Sequence, residues 1–260
     1  MKRTRTLVVI AALAAAILAL GGCATNGEST AGSDDTFVFA NSGAYKPFSF
    51  DQNGEIVGFD VDIANEIAKR IGRTPEMVSP VPFDTLIQGL RGGRYDALVA
   101  SHGITDERKE QVDFTRPYYR SGAQAFIAEE NTAITGTDDL EGAKIGVVKA
   151  STYLELAEGI TGADNVTTYE SDVVALQDLT TGRLDAVITD KLVGLIAMDE
   201  SGLAIKTVGE VLERDEMGIA VQKGDAELLE AINGALEDMI ADGTYEEISL
   251  RWFPENILGE

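Results

Sequence analysis

Reactive side chains are few in this chain, and their types restrict the chemistry at once. Among 260 residues there is one Cys, Cys23, and one His, His102. A single Cys leaves none for an internal disulfide. Neither residue has the partners that a zinc site or a nucleophilic triad requires. No metal, cofactor or catalytic residue is therefore expected. Cys23 stands instead at the end of a targeting pattern. Lys2, Arg3 and Arg5 open the chain, an unbroken apolar run covers Leu7 to Leu20, and the run closes on Leu20-Gly21-Gly22-Cys23. The run falls short of the roughly 20 apolar residues of a membrane span and suits the core of a signal peptide. Small residues before a Cys are what a lipoprotein signal peptidase cuts. Residues 1–22 thus read as a lipoprotein signal peptide, with Cys23 the lipidated residue. An ordinary secretory signal with an incidental Cys is the competing reading, and the placement of the sole Cys argues against it.

A second group of chemistry-bearing residues emerges from an internal repeat. Phe83 to Ser101 matches Asp172 to Asp190 at a constant offset of 89. Gln88 pairs with Gln177, Leu90 with Leu179, Gly93 with Gly182, Arg94 with Arg183, Asp96 with Asp185 and Ala97 with Ala186. In each copy apolar residues recur at helical spacing (Leu86, Ile87, Leu90; Val173, Leu176, Leu179), and a Gly then closes the helix in a left-handed cap. A short apolar strand follows, Ala97 to Ala100 or Ala186 to Thr189, of the kind buried in parallel sheets. Ligands of open α/β sheets bind beyond the carboxyl ends of strands. If two such sheets face each other, Ser101, His102, Gly103 and Asp190 meet at one cleft.

The elements needed to position them are legible. Strands are predicted near Thr36–Ala40, Glu76–Pro80, Lys144–Val148, Val166–Tyr169 and Ile205–Val208. Helices are predicted near Asp60–Ile71, Thr152–Glu158, Lys191–Glu200, Asp225–Asp242 and Tyr245–Trp252. Ile63, Ile67 and Ile71 before Gly72 make one amphipathic helix; Leu228 to Ile240 before Gly243 make another. This alternation predicts an α/β fold of two lobes.

Charge excludes several partners. The chain carries 21 basic and 44 acidic residues, a net −23; removing residues 1–22 takes three basic ones and leaves −26. So acidic a chain is unsuited to nucleic acid or to lying on an anionic bilayer. Residues 23–35 are polar and read as a flexible tether.

With these stretches in place, a resemblance becomes specific. AYKPFSF at 44–50, GFDVDIANEIAKRIG at 58–72, FDTLIQGLRGGRYDALVASHGITDER at 83–108, VDFTRPYY at 112–119, GAKIGVVKAST at 142–152, GRLDAVITD at 182–190 and RWF at 251–253 run in the order seen in one family. The chain resembles the extracellular solute-binding proteins, family 3 type, of polar amino-acid ABC transporters. The resemblance implies a two-lobed periplasmic-binding-protein-like fold with two hinge-crossing strands (type II). Lobe 1 would take 36–120 and 217–260, lobe 2 would take 121–216, and the hinge would lie near Tyr119–Gly122 and Glu213–Met217. It also implies a monomer, lipid-anchored to the cell membrane on its outer side, that passes an amino acid to an ABC transporter permease.

An amino-acid site must supply a cation and N–H donors for a carboxylate, an anion for an ammonium, and a wall for the side chain. Arg108 matches the family's carboxylate-binding Arg and suits a bidentate grip; a surface pair with Asp106 or Glu107 is the alternative. Asp190 matches the ammonium-binding acid and also suits a helix N-cap. Tyr45 and Phe83 match the aromatics against the ligand side chain. Ser101 and Gly103 match positions whose backbone faces the ligand. Thr152 opens a helix whose free N–H groups attract a carboxylate. Lys149 falls where glutamine binders carry a Lys, and Ser42 falls where binders of basic amino acids carry an acid; together they lean toward a neutral polar or acidic ligand. The chain departs from the family pattern at Gly103, often Ser or Thr; at His102, often Met or Leu; and at Ala150, usually Gly. Two other functions fit the same scaffold, a dehydratase-like enzyme and a ligand-sensing module.

Overall fold

Strand and helix alternate along the chain, as the hydrophobic periodicities require. A computed structural model describes residues 35–259. The signal-peptide, lipidation and tether assignments for residues 1–34 therefore lie outside the described residues. The described chain opens with β1 (Thr36–Ala40), then β2 (Ala44–Tyr45), β3 (Ser49–Gln52), β4 (Glu55–Val57), α1 (Phe59–Arg70), β5 (Thr74–Val78), α2 (Leu86–Arg91), β6 (Ala97–Gly103) and α3 (Asp106–Gln111). A long strand, β7 (Val112–Ala128), leads to β8 (Ile145–Val148), α4 (Thr152–Thr161), β9 (Val166–Tyr169), α5 (Asp172–Thr180), β10 (Ala186–Asp190) and α6 (Lys191–Ser201). A second long strand, β11 (Ile205–Gln222), leads to α7 (Ala226–Ala241) and α8 (Thr244–Trp252).

Eight strands order as β5-β1-β6-β11-β7-β10-β8-β9, and β2-β3-β4 form a small separate sheet. The fold is α/β and two-lobed. One lobe is built on β5, β1 and β6, the other on β10, β8 and β9. The antiparallel pair β7 and β11 runs through both, with Met217 opposite Tyr119, Asp215 opposite Ser121 and Glu213 opposite Ala123 where it crosses. Each lobe has its own core on both faces of its strands. In the first, Phe37 and Phe39 pack with Ile63, Ile67 and Ile232 on one side, while Val38 and Ala40 pack with Leu86 and Leu90 on the other. In the second, Ile145, Val147 and Ile188 pack with Tyr153 and Ala157, while Phe126 and Val187 pack with Leu176 and Leu179. Strands covered on both faces are continuously apolar, which is why β6 and β10 are buried along their whole lengths.

The two copies of the repeat fold alike. Gly93 and Gly182 both sit at positive φ, 69° and 76°, where a Cβ would be strained. The paired aspartates do the same work. Asp96 Oδ2 accepts the Val38 N–H at 2.8 Å, and Asp185 Oδ2 accepts the Lys144 N–H at 2.8 Å. Each thereby ties the start of its strand to the neighbouring parallel strand. One detail of the periodicity differs from expectation. Val173 is exposed, and the buried face of α5 is Asp172, Ala175, Leu176 and Leu179.

Helix ends follow local chemistry. Asp225 accepts the Leu228 N–H at 3.1 Å and starts α7. In α1, Asp60 and Asp62 lie in the first turn and Lys69 and Arg70 in the last, matching the helix dipole. Gly58 precedes α1 at φ 140°, where a Cβ would sit 2.2 Å from the Phe48 carbonyl oxygen, so only Gly fits. Among the described residues no helix is long and apolar enough to cross a membrane.

Candidate functional site

The strand ends β6 and β10 point into the space between the lobes. There one cavity is lined from the first lobe by Tyr45, Phe83, Ser101, Gly103 and Arg108, and from the second by Thr152. Six of the residues singled out in the sequence are thus brought together. Ser42 lines it too, as do Tyr153, Glu170 and Asp172.

Arg108 is buried at 9% exposure rather than paired on the surface. Its Nη1 donates to the Gly103 carbonyl and its Nη2 to the Ala150 carbonyl, both at 2.9 Å. The first contact is within one lobe and the second crosses to the other. Five N–H donors on the group leave further ones for a ligand oxygen. Thr105 caps α3 by accepting the Arg108 N–H at 3.2 Å, which holds the residue's backbone. The Arg108 guanidinium also lies 5.9 Å from the centre of the Phe83 ring.

Ser101 is held by a buried polar network. Its hydroxyl donates to Asp60 Oδ2 at 2.9 Å, and its N–H donates to the Tyr118 hydroxyl at 3.0 Å. The Tyr118 hydroxyl donates in turn to Asp60 Oδ1 at 2.6 Å. This network fixes Ser101 at φ 53°, a left-handed conformation that a residue with a Cβ rarely adopts. The Ser101 N–H and hydroxyl are therefore committed inward, and its carbonyl is the group left for a ligand. Ala150, across the cleft, also sits in the left-handed region at φ 58°. The loop keeps the conformation that Gly would take and presents its carbonyl to Arg108.

Asp190 does not line the cavity but lies beside it, fully buried. Its Oδ1 accepts from the Ser121 hydroxyl and from the Leu192 N–H, each at 2.7 Å, the latter capping α6. Its Oδ2 is buried with no hydrogen-bond partner among the described residues. Burial pushes its pKa up to about 7, with Asp215 and Asp172 adding to the rise. Burial, then the Asp190 charge, also raises the phenols of Tyr45 and Tyr153. A cation entering here would stabilise the ionised form of Asp190.

Thr152 opens α4, and its side chain lies against Gly103. A Cβ on Gly103 would come within 3.0 Å of Thr152 Cγ2. Gly at 103 thus permits the close approach of the two lobes at this point. Lys149 is not among the cavity-lining residues. Its ammonium pairs with Asp84 across the mouth of the cleft at 2.6 Å. A second pair, Lys46 to Glu200 at 2.6 Å, spans the lobes elsewhere. His102 is buried at 1% exposure and stacks on Phe83 with ring centres 4.5 Å apart. Burial, then the Arg108 charge, holds its pKa well below the usual value, so it is neutral and backs Phe83 from inside the lobe.

Sequence reasoning missed Tyr153, Asp172 and Asp60. For Asp172 the signal was present. The offset of 89 pairs it with Phe83, and both line the cavity. Asp60 carried a weaker signal, an acid on the apolar face of α1.

A receptor of two lobes, with a cation and a buried acid flanking a cleft between them, is a binding protein for a small zwitterion. The comparisons agree. The model of the bacterial extracellular solute-binding proteins, family 3, matches residues 37–255, and the chain belongs to that family. It is 36% identical over 225 residues to the L-cystine-binding protein TcyJ of Escherichia coli strain K12, covering 85% of this chain and 84% of that protein. It is 34% identical over 267 residues to the L-arginine-binding protein of Pseudomonas aeruginosa, covering 98% and 99%. Among solved structures, an ancestral arginine-binding protein bound to arginine superposes with a TM-score of 0.79 at 40% identity, over 84% of this chain and 98% of that one.

Proposed function

We propose that this chain is the receptor component of an ABC importer, which captures a polar amino acid between its lobes and delivers it to the permease. The observation that carries this reading is the pairing of opposite charges across one cleft. Arg108, pinned by two carbonyls, offers its remaining donors to a carboxylate. Asp190 Oδ2, buried and unpaired, matches an ammonium. The Ser101 carbonyl and the α4 N-terminus complete a frame for the main-chain groups of an amino acid. Tyr45 and Phe83 wall the side chain. Family membership supports delivery to a transporter, because the solute-binding relatives serve that end.

Lobe 1 then takes 36–120 and 217–260, and lobe 2 takes 121–216. Cleavage after Gly22 leaves Cys23 to carry the lipid, and 23–35 to tether a monomeric domain outside the membrane. A thermal-shift screen of the twenty amino acids tests the function, since a ligand bound by the folded state alone raises the melting temperature. Arg108→Ala should then weaken the responding ligand by roughly a hundredfold or more, because a carboxylate is left buried without its partner. Unchanged affinity in that variant, measured by calorimetry, sinks the site assignment.

A further inference from the structure

The charges around the cleft do not balance for a neutral zwitterion. Arg108 is the one cation lining the cavity among the described residues. Around it stand Asp190, Asp172 and Asp215. Asp215 lies on the crossing strand β11 and acts on both Arg108 and Tyr153. Its carboxyl faces the Tyr153 hydroxyl, whereas Asp190 Oδ2 is buried without a hydrogen-bond partner among the described residues. At the mouth, Lys149 faces two acids, Asp84 and Glu170. The carboxylate and ammonium of an amino acid cancel each other, so they leave this acidic excess in place. Buried charge without compensation is costly. The excess calls for one more positive group on the ligand.

Asp172 is placed to meet it. It is 5% exposed and lines the cavity at the start of α5, with the Thr189 hydroxyl donating to its Oδ1. A hydroxyl that orients a carboxylate does not neutralise it. Burial raises the Asp172 pKa to about 6. Tyr153, 6% exposed, lines the same cavity with its hydroxyl turned to Asp215, and it lies in the field of Asp190, Asp215 and Asp172. Tyr45 and Phe83 add aromatic faces that favour a cation. Lys149 and Ser42 had suggested a neutral or acidic ligand. Lys149, however, is outside the cavity and paired with Asp84, while Glu170 and Asp172 are the charged residues on that wall.

We propose that the bound amino acid carries a positive group beyond its α-ammonium, and that Asp172, with Glu170 at its rim, is the subsite that reads it. This rests on the amino-acid-binding function proposed above and names the ligand class within it. Arginine, lysine and ornithine satisfy the requirement with a cationic side chain; cystine does not, because its second ammonium comes with a second carboxylate.

The full chain in mild detergent, stripped of bound ligand by unfolding and refolding, is titrated calorimetrically with arginine, lysine, ornithine, cystine, glutamine and glutamate. At least one of the first three should bind more tightly than cystine, glutamine and glutamate. Asp172→Asn, which keeps the shape, should weaken that ligand by at least about tenfold, the size expected for a lost buried charge pair. Its effect on glutamine should be under about threefold, since only the charge is removed. Glu170→Gln, at an exposed position, should weaken the same ligand by roughly twofold, as a screened surface charge does. Tighter binding of cystine, glutamine or glutamate by the wild type overturns the proposal. So does equal weakening of every ligand in Asp172→Asn, which marks a structural role. If Asp172→Asn does not fold, the wild-type ligand order and Glu170→Gln decide. Binding of none of the six, with a thermal-shift response to some other amino acid, overturns this proposal alone. No response to any amino acid overturns the binding function itself.

Discussion

Replacing Asp190 by Asn should push stability and binding in opposite directions. Asp190 is fully buried, and its pKa stands at about 7 against 3.8 for an ordinary Asp. An acid raised in the folded state prefers its proton there, so folding loses stability as pH rises from the unfolded value through the folded one. A shift of about three units corresponds to about 4 kcal/mol of penalty above pH 7. At pH 5 only the part between the unfolded value and pH 5 applies, about 1–2 kcal/mol. Asn removes the ionisation and keeps the cap on Leu192, because Asn is as good an N-cap as Asp. Its amide nitrogen replaces an unpaired oxygen at a cost of about 1–3 kcal/mol. The ligand-free variant should therefore be more stable than wild type by about 1–3 kcal/mol at pH 8, and equal or less stable at pH 5. Amino-acid affinity should fall by two orders of magnitude or more, since the ammonium loses its buried counter-charge. Urea unfolding of ligand-free protein at both pH values, with calorimetry at pH 8, measures both effects. A stability difference that is the same at pH 5 and pH 8 would show that Asp190 carries no buried charge. Affinity within about tenfold of wild type would remove it from the site.

Two other expectations follow, the first from the sequence and the second from the structure. Cys23→Ser should move the protein from the membrane fraction to the soluble one, and unchanged fractionation would remove the lipid anchor. Ligand should close the lobes about the β7–β11 crossing, because Arg108 to Ala150, Lys149 to Asp84 and Lys46 to Glu200 are contacts that form only when the lobes meet. A ligand favouring that state shifts the population toward it. Small-angle scattering of stripped protein should then show a smaller radius of gyration on adding amino acid, and closure fails as the mechanism if a binding-competent protein stays at its open value.

The sequence by itself determined what depends on neighbours along the chain. Helical spacing in 60–71, the αL glycines Gly93 and Gly182, and the continuous apolar strands at 97 and 186 are local signals, and each of these elements starts within a residue of where it was read. The offset of 89 carried the two-lobe plan, because each copy needs only its own helix and strand to fold. Arg108 was legible through its motif, and the Thr105 cap that holds its backbone lies three residues away. The tertiary structure alone decided the rest. The lengths of β7 and β11 were hidden because their continuous buried runs, at 122–127 and 217–221, cover only part of each strand; polar residues punctuate both where they cross between lobes, and only their mutual pairing defines them. The left-handed Ser101 depends on Asp60 and Tyr118, which come from α1 and β7. Lys149 pairs with Asp84, 65 residues away along the chain. That pairing is made by the distance between two lobes, and no local pattern encodes that distance. Side-chain charges act over several ångströms in every direction, so the acidic excess that bears on the ligand became visible only when segments from both lobes stood around one cavity.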